Sequence, residues 1–161
     1  MNKVILLKKR PKGRPSLDDF EFIEQKKPNP KEGEILLKTK YVSVDPYLRG
    51  RMRDEKSYIE PFEVGKPLES GIIAEVVESN NKNFEKGEFV NGMLQWKQFQ
   101  TSNGNGLNKV DNEKAPLKAY LGILGLTGIT AYLGLDKIGK PKKGETLLVS
   151  GAAGAAGAVF S

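Results

Sequence analysis

Cysteine and histidine are both absent from these 161 residues. Without cysteine there is no disulfide and no thiolate. Without histidine no Ser–His or Cys–His nucleophile pair can be assembled within the chain. Zinc sites draw on Cys or His ligands in almost every case, so zinc alcohol dehydrogenase chemistry cannot be built from these residues. Long apolar runs are missing too: no segment approaches the ~20 residues of a membrane span. Met1–Leu7 carries an apolar core too short for the h-region of a signal peptide and reads as a first strand. Cytoplasm is the expected compartment.

What is present is an ordinary globular composition, 38% hydrophobic and 29% charged, with 26 basic against 20 acidic residues and a net charge of +6. The excess favours anionic partners, nucleic acid or a phosphorylated cofactor among them. The basic residues cluster at Lys8, Lys9, Arg10, Lys12, Arg14 and again at Arg49, Arg51, Arg53. Neither cluster sits in a nucleic-acid-binding motif, so solvated surface is the favoured reading of the first; a basic nucleic-acid-binding module is the alternative from another functional class.

The first two-thirds of the chain predict short strands: Val4 to Leu7, Phe20 to Ile23, Ile35 to Val44, Gly71 to Glu78, Glu88 to Val90 and Leu94 to Phe99. A shared turn signature precedes three extended runs: Lys31-Glu32-Gly33-Glu34, Glu85-Lys86-Gly87-Glu88 and Lys142-Lys143-Gly144-Glu145. Each glycine supplies the positive φ that such a turn can require. The pattern changes near Ala115. From Leu117 the apolar residues fall at helical spacing, with Thr127 as the expected cap of a helix running to about Ile138, stopped by Gly139 and Pro141. A short apolar strand, Thr146 to Val149, then enters the loop Gly151-Ala152-Ala153-Gly154-Ala155-Ala156-Gly157.

That strand and loop are how a dinucleotide-binding βαβ unit opens. Glycines let the backbone approach a pyrophosphate, and the next helix offers free N–H groups. Gly154 and Gly157 align with the second and third glycines of G-x-G-x-x-G, and Ala152 with the first. No Lys follows, which excludes a P-loop. Two further segments can carry chemistry. In Val42-Ser43-Val44-Asp45-Pro46-Tyr47-Leu48-Arg49-Gly50 the proline forces a turn and puts the Tyr47 phenol at a strand exit. The alternative there is a structural loop in which Asp45 and Arg49 hold each other. Gly125-Leu126-Thr127-Gly128-Ile129-Thr130-Ala131-Tyr132 offers small residues and hydroxyls at a helix start, where an anion or cofactor amide could approach; taken alone it reads as an ordinary capped amphipathic helix.

Taken together, Asp45 to Met52, Gly125 to Tyr132 and Val149 to Gly157 resemble the medium-chain dehydrogenase/reductase superfamily. The likeness is to its zinc-independent branch of prostaglandin reductases, leukotriene 12-hydroxydehydrogenases and alkenal double-bond reductases. Gly92-Met93 followed by Trp96, and Pro141 to Glu145, extend the resemblance over the whole chain.

The resemblance implies a mixed, mostly β fold: a GroES-like β-barrel catalytic domain over 1–118, then over 119–161 the first helix, strand and Gly-rich loop of a truncated Rossmann domain. It implies NADPH as cofactor and reduction of the C=C bond of an α,β-unsaturated ketone or aldehyde by hydride transfer, or, as the alternative, of a quinone. Tyr47 is then expected in the substrate pocket. Leu126, Thr127 and Thr130 are expected beside the nicotinamide and phosphates, and Gly154 and Gly157 under the pyrophosphate. Thr127 stands where many relatives have proline. No catalytic residue or metal is expected in this part of the chain; the proton donor and the 2′-phosphate ligands belong to a following part. The chain is expected to be an inactive fragment of a homodimeric enzyme.

Overall fold

The computed structural model describes residues 1–55 and 59–160, and the chain divides into two compact units, Met1–Val110 and Asp111–Ser161. The division falls ahead of the 118/119 boundary suggested by the change in pattern. Tyr120 Oη donates to the Asp111 carbonyl at 2.7 Å, which ties the residues after Val110 to those that follow them.

The first unit is the mostly β architecture expected. Strands β3 (Ile35–Val42), β4 (Glu69–Ser79), β5 (Phe89–Gln95), β6 (Phe99–Ser102) and β7 (Asn108–Val110) form an antiparallel sheet in the order β6-β3-β4-β5-β7. β1 (Asn2–Leu7) and β2 (Phe20–Gln25) form a second antiparallel pair. Bridges from Val4 to Lys97 and from Leu6 to Pro67 stitch that pair to the rest. The Asn2 side chain closes the same seam: Nδ2 donates to the Phe99 carbonyl at 2.9 Å, and the Phe99 N–H donates to Asn2 Oδ1 at 2.8 Å. A buried amide thereby replaces one rung of a strand ladder, with both of its polar atoms partnered.

Central position explains the composition of β4, where Ile72, Ile73, Ala74 and Val76 are fully buried. Ile35, Leu36 and Leu37 are consecutive and all buried, because a register shift between Leu36 and Leu37 breaks the alternation of faces. Two apolar clusters result. One joins Ile35, Leu37, Ile72, Ala74, Val76, Val90 and Leu94; the other joins Leu7, Leu48, Met52, Phe62 and Leu68. Each large aliphatic residue so buried contributes about 1.5–3 kcal/mol. Trp96 packs against both clusters.

The three glycine turns share one geometry. Gly33, Gly87 and Gly144 have φ of 77°, 95° and 92°. In each, the glutamate after glycine closes the turn twice: its N–H donates to the carbonyl of the first residue, and its carboxylate accepts that residue's N–H at 2.8–2.9 Å. The repeated Gly-Glu pair is therefore a complete turn, with the positive φ from one residue and the cap from the next.

Two strand expectations change. Leu94 to Phe99 is not one strand: β5 continues to Gln95, the chain bends, and β6 starts at Phe99. The bend is held by the Gln100 side chain, whose Nε2 donates to the Gln95 carbonyl at 2.9 Å. β5 also passes straight through Gly92, where a Cβ would stand 2.6 Å from the Leu107 side chain.

The second unit contains a 3-10 segment, Leu117–Leu121, helix α2 (Leu126–Leu133), a π-helical stretch Gly134–Gly139 and a short helix α3 (Gly157–Phe160). α2 starts one residue before Thr127, with Gly125 as its N-cap. Thr127 does not cap the helix; its hydroxyl donates back to the Gly122 carbonyl at 3.0 Å. The glycines permit this fold-back, since a Cβ on Gly125 would lie 2.5 Å from the Tyr120 carbonyl and one on Gly128 would collide with the Ile123 backbone. Lys140, at φ 46°, ends the helical run after Gly139.

The predicted strand Thr146–Val149 belongs to no sheet among the described residues. Leu148 is 94% exposed and Leu147 half-exposed, while Val149 is half-buried. A parallel strand draws its hydrogen bonds and much of its apolar cover from neighbouring strands, and among the described residues no strand lies beside this one.

Candidate functional site

Pro46 ends the extended chain after β3, and the next residue opens a one-turn helix, α1 (Tyr47–Arg51). Tyr47 is half-buried, its side chain packed on the Leu7, Leu48, Met52, Phe62 and Leu68 cluster beside Ile5, Phe20 and Trp96. Trp96 is fixed in turn: its indole Nε1 donates to the fully buried Ser70 Oγ at 2.8 Å. An aromatic corner of Tyr47 and Trp96 therefore sits on a rigid base.

Asp45 and Arg49 do not hold each other. Asp45 accepts the Ser43 hydroxyl at 2.6 Å, which closes a local turn. Arg49 instead donates to the carbonyls of Pro11 and Gly13, at 3.2 and 2.7 Å through Nη2. Arg10 reaches back to the carbonyls of Met52 and Arg53 and to Asp54, at 3.2, 2.9 and 3.0 Å. The two basic clusters are thus cross-braced, each arginine seated on the other segment's backbone. Arg51 lies over the Phe62 ring, 4.0 Å from its centroid, and donates to the Glu60 carbonyl at 2.9 Å.

In the second unit Leu126, the first residue of α2, is 69% exposed, while Thr127 is half-buried. The Thr130 hydroxyl donates to the Leu126 carbonyl at 2.7 Å. Both threonine protons are committed to backbone carbonyls, which leaves the oxygens as acceptors.

The Gly/Ala loop is compact. The Gly154 N–H donates to the Gly151 carbonyl at 2.8 Å, and Gly154's own carbonyl accepts from Ala158 at 2.9 Å. A Cβ on Gly157 would collide with the Gly151 carbonyl. Gly151 carries the positive φ, 64°. The left-handed turn therefore belongs to Gly151 and not to Ala152, the residue that the spacing aligns with the first glycine. Helices α2 and α3 pack together.

Sequence reasoning noted Trp96 only for its place after Gly92-Met93 and did not single out its contact with both apolar clusters, nor Gly151 as the residue of positive φ. Among the described residues no group of three or more Asp or Glu side chains could hold a metal ion, and no helix is long and apolar enough to cross a membrane.

Residues 3–110 match the family described as the N-terminal domain of oxidoreductase. The chain is similar to YfmJ of Bacillus subtilis (strain 168), with 56% identity over 95% of this chain and 45% of that protein. It is similar to the NADP(+)-dependent 2-alkenal reductase of Nicotiana tabacum, with 40% identity over 97% of this chain and 47% of that protein. Among solved structures, CurA from Vibrio vulnificus in complex with NADPH superposes with a TM-score of 0.89 at 38% identity, over 98% of this chain and 47% of that one. The chain spans about half the length of the curated relatives it matches.

Proposed function

We infer the activity from one premise: the chain belongs to the zinc-independent medium-chain dehydrogenase/reductase family of NADP-dependent oxidoreductases. The whole protein is then an NADPH-dependent reductase of the C=C bond of α,β-unsaturated aldehydes or ketones. The first unit, Met1–Val110, serves as its substrate domain and the second, from Asp111, as the start of its nucleotide-binding domain. The observation that carries the cofactor reading is the loop from Gly151 to Gly157, which turns back on itself so closely that its own Gly151 backbone fills the space a side chain at Gly157 would need. Close packing of this kind is what the third glycine of a dinucleotide-binding loop serves.

NADPH, when bound, supplies the hydride. This chain's residues bind and orient. Gly154 and Gly157 let the loop fold tightly beside the pyrophosphate. Thr127 and Thr130, as acceptors, suit the amide N–H groups of a carboxamide better than a phosphate oxygen, because their own protons are already donated to Gly122 and Leu126. Leu126 offers an exposed apolar contact for a ring face. Tyr47 presents a phenol from a packed helix start and orients the substrate carbonyl; it is not assigned the proton that completes the reduction.

The test is a steady-state assay of the full-length protein with NADPH against trans-2-alkenals, enones and quinones. NADPH consumption with alkenals or enones at kcat/KM well above that for quinones supports the reading. A preference for quinones moves the assignment to a quinone oxidoreductase, and no turnover of either overturns it.

A further inference from the structure

The first unit holds a cleft of about 360 Å³ whose walls include Ile5, Val42, Val44 and Trp96, with Lys97 and Lys3 at its edges. That volume lies at the small end of the range for small-molecule sites. Two of the polar handles on the walls are already spent, and the Gln98 carboxamide remains. Trp96 Nε1 donates to Ser70 Oγ at 2.8 Å, and the Thr39 hydroxyl donates to the Lys97 carbonyl at 2.6 Å. What lines the cleft besides is apolar surface, the Gln98 carboxamide and the two lysine side chains.

Lys97 is partly buried, and among the described residues it has no carboxylate within ion-pair distance; no carboxylate lines the cleft. Its backbone is pinned on two sides, by the bridge to Val4 and by the Thr39 hydroxyl, so the side chain springs from a fixed root. Burial pushes the Lys97 ammonium below the ordinary lysine range. A partly desolvated cation without a counter-charge is unfavourable unless an anion joins it.

We propose that this cleft binds a small planar monocarboxylate, an aromatic or conjugated acid, with its carboxylate on Lys97 and its ring against Trp96 and Val42. Flatness matches an indole that is locked in one orientation, and a rigid acid loses little conformational freedom on binding. The proposal concerns the first unit alone and does not rest on the reductase reading.

Trp96 is the sole tryptophan of the chain, so its fluorescence reports directly on the cleft without cofactor or turnover. The probe is trans-cinnamate, compared with neutral cinnamamide and aliphatic octanoate. Cinnamate should shift Trp96 emission saturably. Cinnamamide and octanoate should each bind about tenfold more weakly or worse, the amide because a charge-assisted contact is lost. Lys97→Met should weaken cinnamate about tenfold without altering the amide, and Lys97→Arg should retain most of the affinity, with melting curves confirming that both variants fold. Val42→Phe, which fills the cleft, should abolish the response. No saturable shift, equal affinity for acid and amide, or an unaffected Lys97→Met overturns the site; octanoate binding as tightly as cinnamate overturns the planar ligand.

Discussion

Glu88 accepts a hydrogen bond from the Lys109 ammonium at 2.6 Å, joining β7 to the turn that leads into β5. Its other oxygen accepts the Glu85 N–H at 2.8 Å. The bond to Lys109 first, and the Glu85 N–H second, hold the Glu88 carboxyl below its ordinary value of 4.5. The stabilisation is therefore complete above the unfolded value and is lost as pH falls through the lowered folded one. Glu88→Gln should cost about 0.5–1 kcal/mol at pH 7, and the gap to wild type should shrink toward pH 3. Urea denaturation at the two pH values measures this; a gap independent of pH counts against a charge origin.

Tyr47→Phe keeps the ring on the Leu7 and Phe62 cluster and removes only the hydroxyl. In the full-length enzyme we expect kcat/KM for enones to fall about 2–10-fold, the worth of one neutral hydrogen bond, with the melting temperature near wild type. Tyr47→Ala should in addition lower stability by roughly 2–4 kcal/mol, because the buried part of the ring is lost. A large thermal loss in the Phe variant with intact kinetics would assign the hydroxyl a structural role.

Gly157→Ala should be far more damaging to cofactor binding than Gly154→Ala. A Cβ at Gly157 meets the Gly151 backbone, which cannot move aside as a side chain can, while at Gly154 the nearest atom is the Gly151 carbonyl at 3.1 Å. NADPH titration of the full-length variants by fluorescence should show at least a tenfold weaker Kd for Gly157→Ala. Equal effects of the two substitutions would mean that the loop rearranges freely.

Amides of Thr146 to Val149 should be among the least protected in the 161-residue chain. The segment joins no sheet, and Leu148 is almost wholly exposed. Hydrogen exchange in dilute solution followed by mass spectrometry checks this. Slow exchange that depends on protein concentration would instead reveal pairing of the exposed segment with a second copy.

Local chemistry was legible where the residues carry their own geometry. The Gly-Glu turns, the change of pattern near Ala115 and the bend at Pro46 needed only neighbours in sequence. Strand ends were not. Whether Gly92 breaks β5 depends on Leu107 packing over it, and whether Thr146 to Val149 forms a strand depends on partners elsewhere. The Asp45–Arg49 pairing failed for a related reason: Arg49 is satisfied by backbone carbonyls at Pro11 and Gly13, acceptors that every residue carries and no side-chain pattern marks. Of the candidate site, Tyr47 and the glycine loop were singled out by motif. Lys97 could not be, because only the folded chain buries it beside Trp96 in the cleft.

The amide clasp between Asn2 and Phe99 sets a schedule for biosynthesis. β1 can meet β2 once residue 25 has left the ribosome, but its outer seam stays open until the residues around Phe99 are made. At ~5–20 residues per second that interval is roughly 4–15 s, during which the apolar face of Val4 and Leu6 waits uncovered. The nascent chain is then most open to chaperone capture and to pairing with a neighbour on the same messenger. A substitution at Asn2 would prolong that exposure more than its place at the very start of the chain suggests.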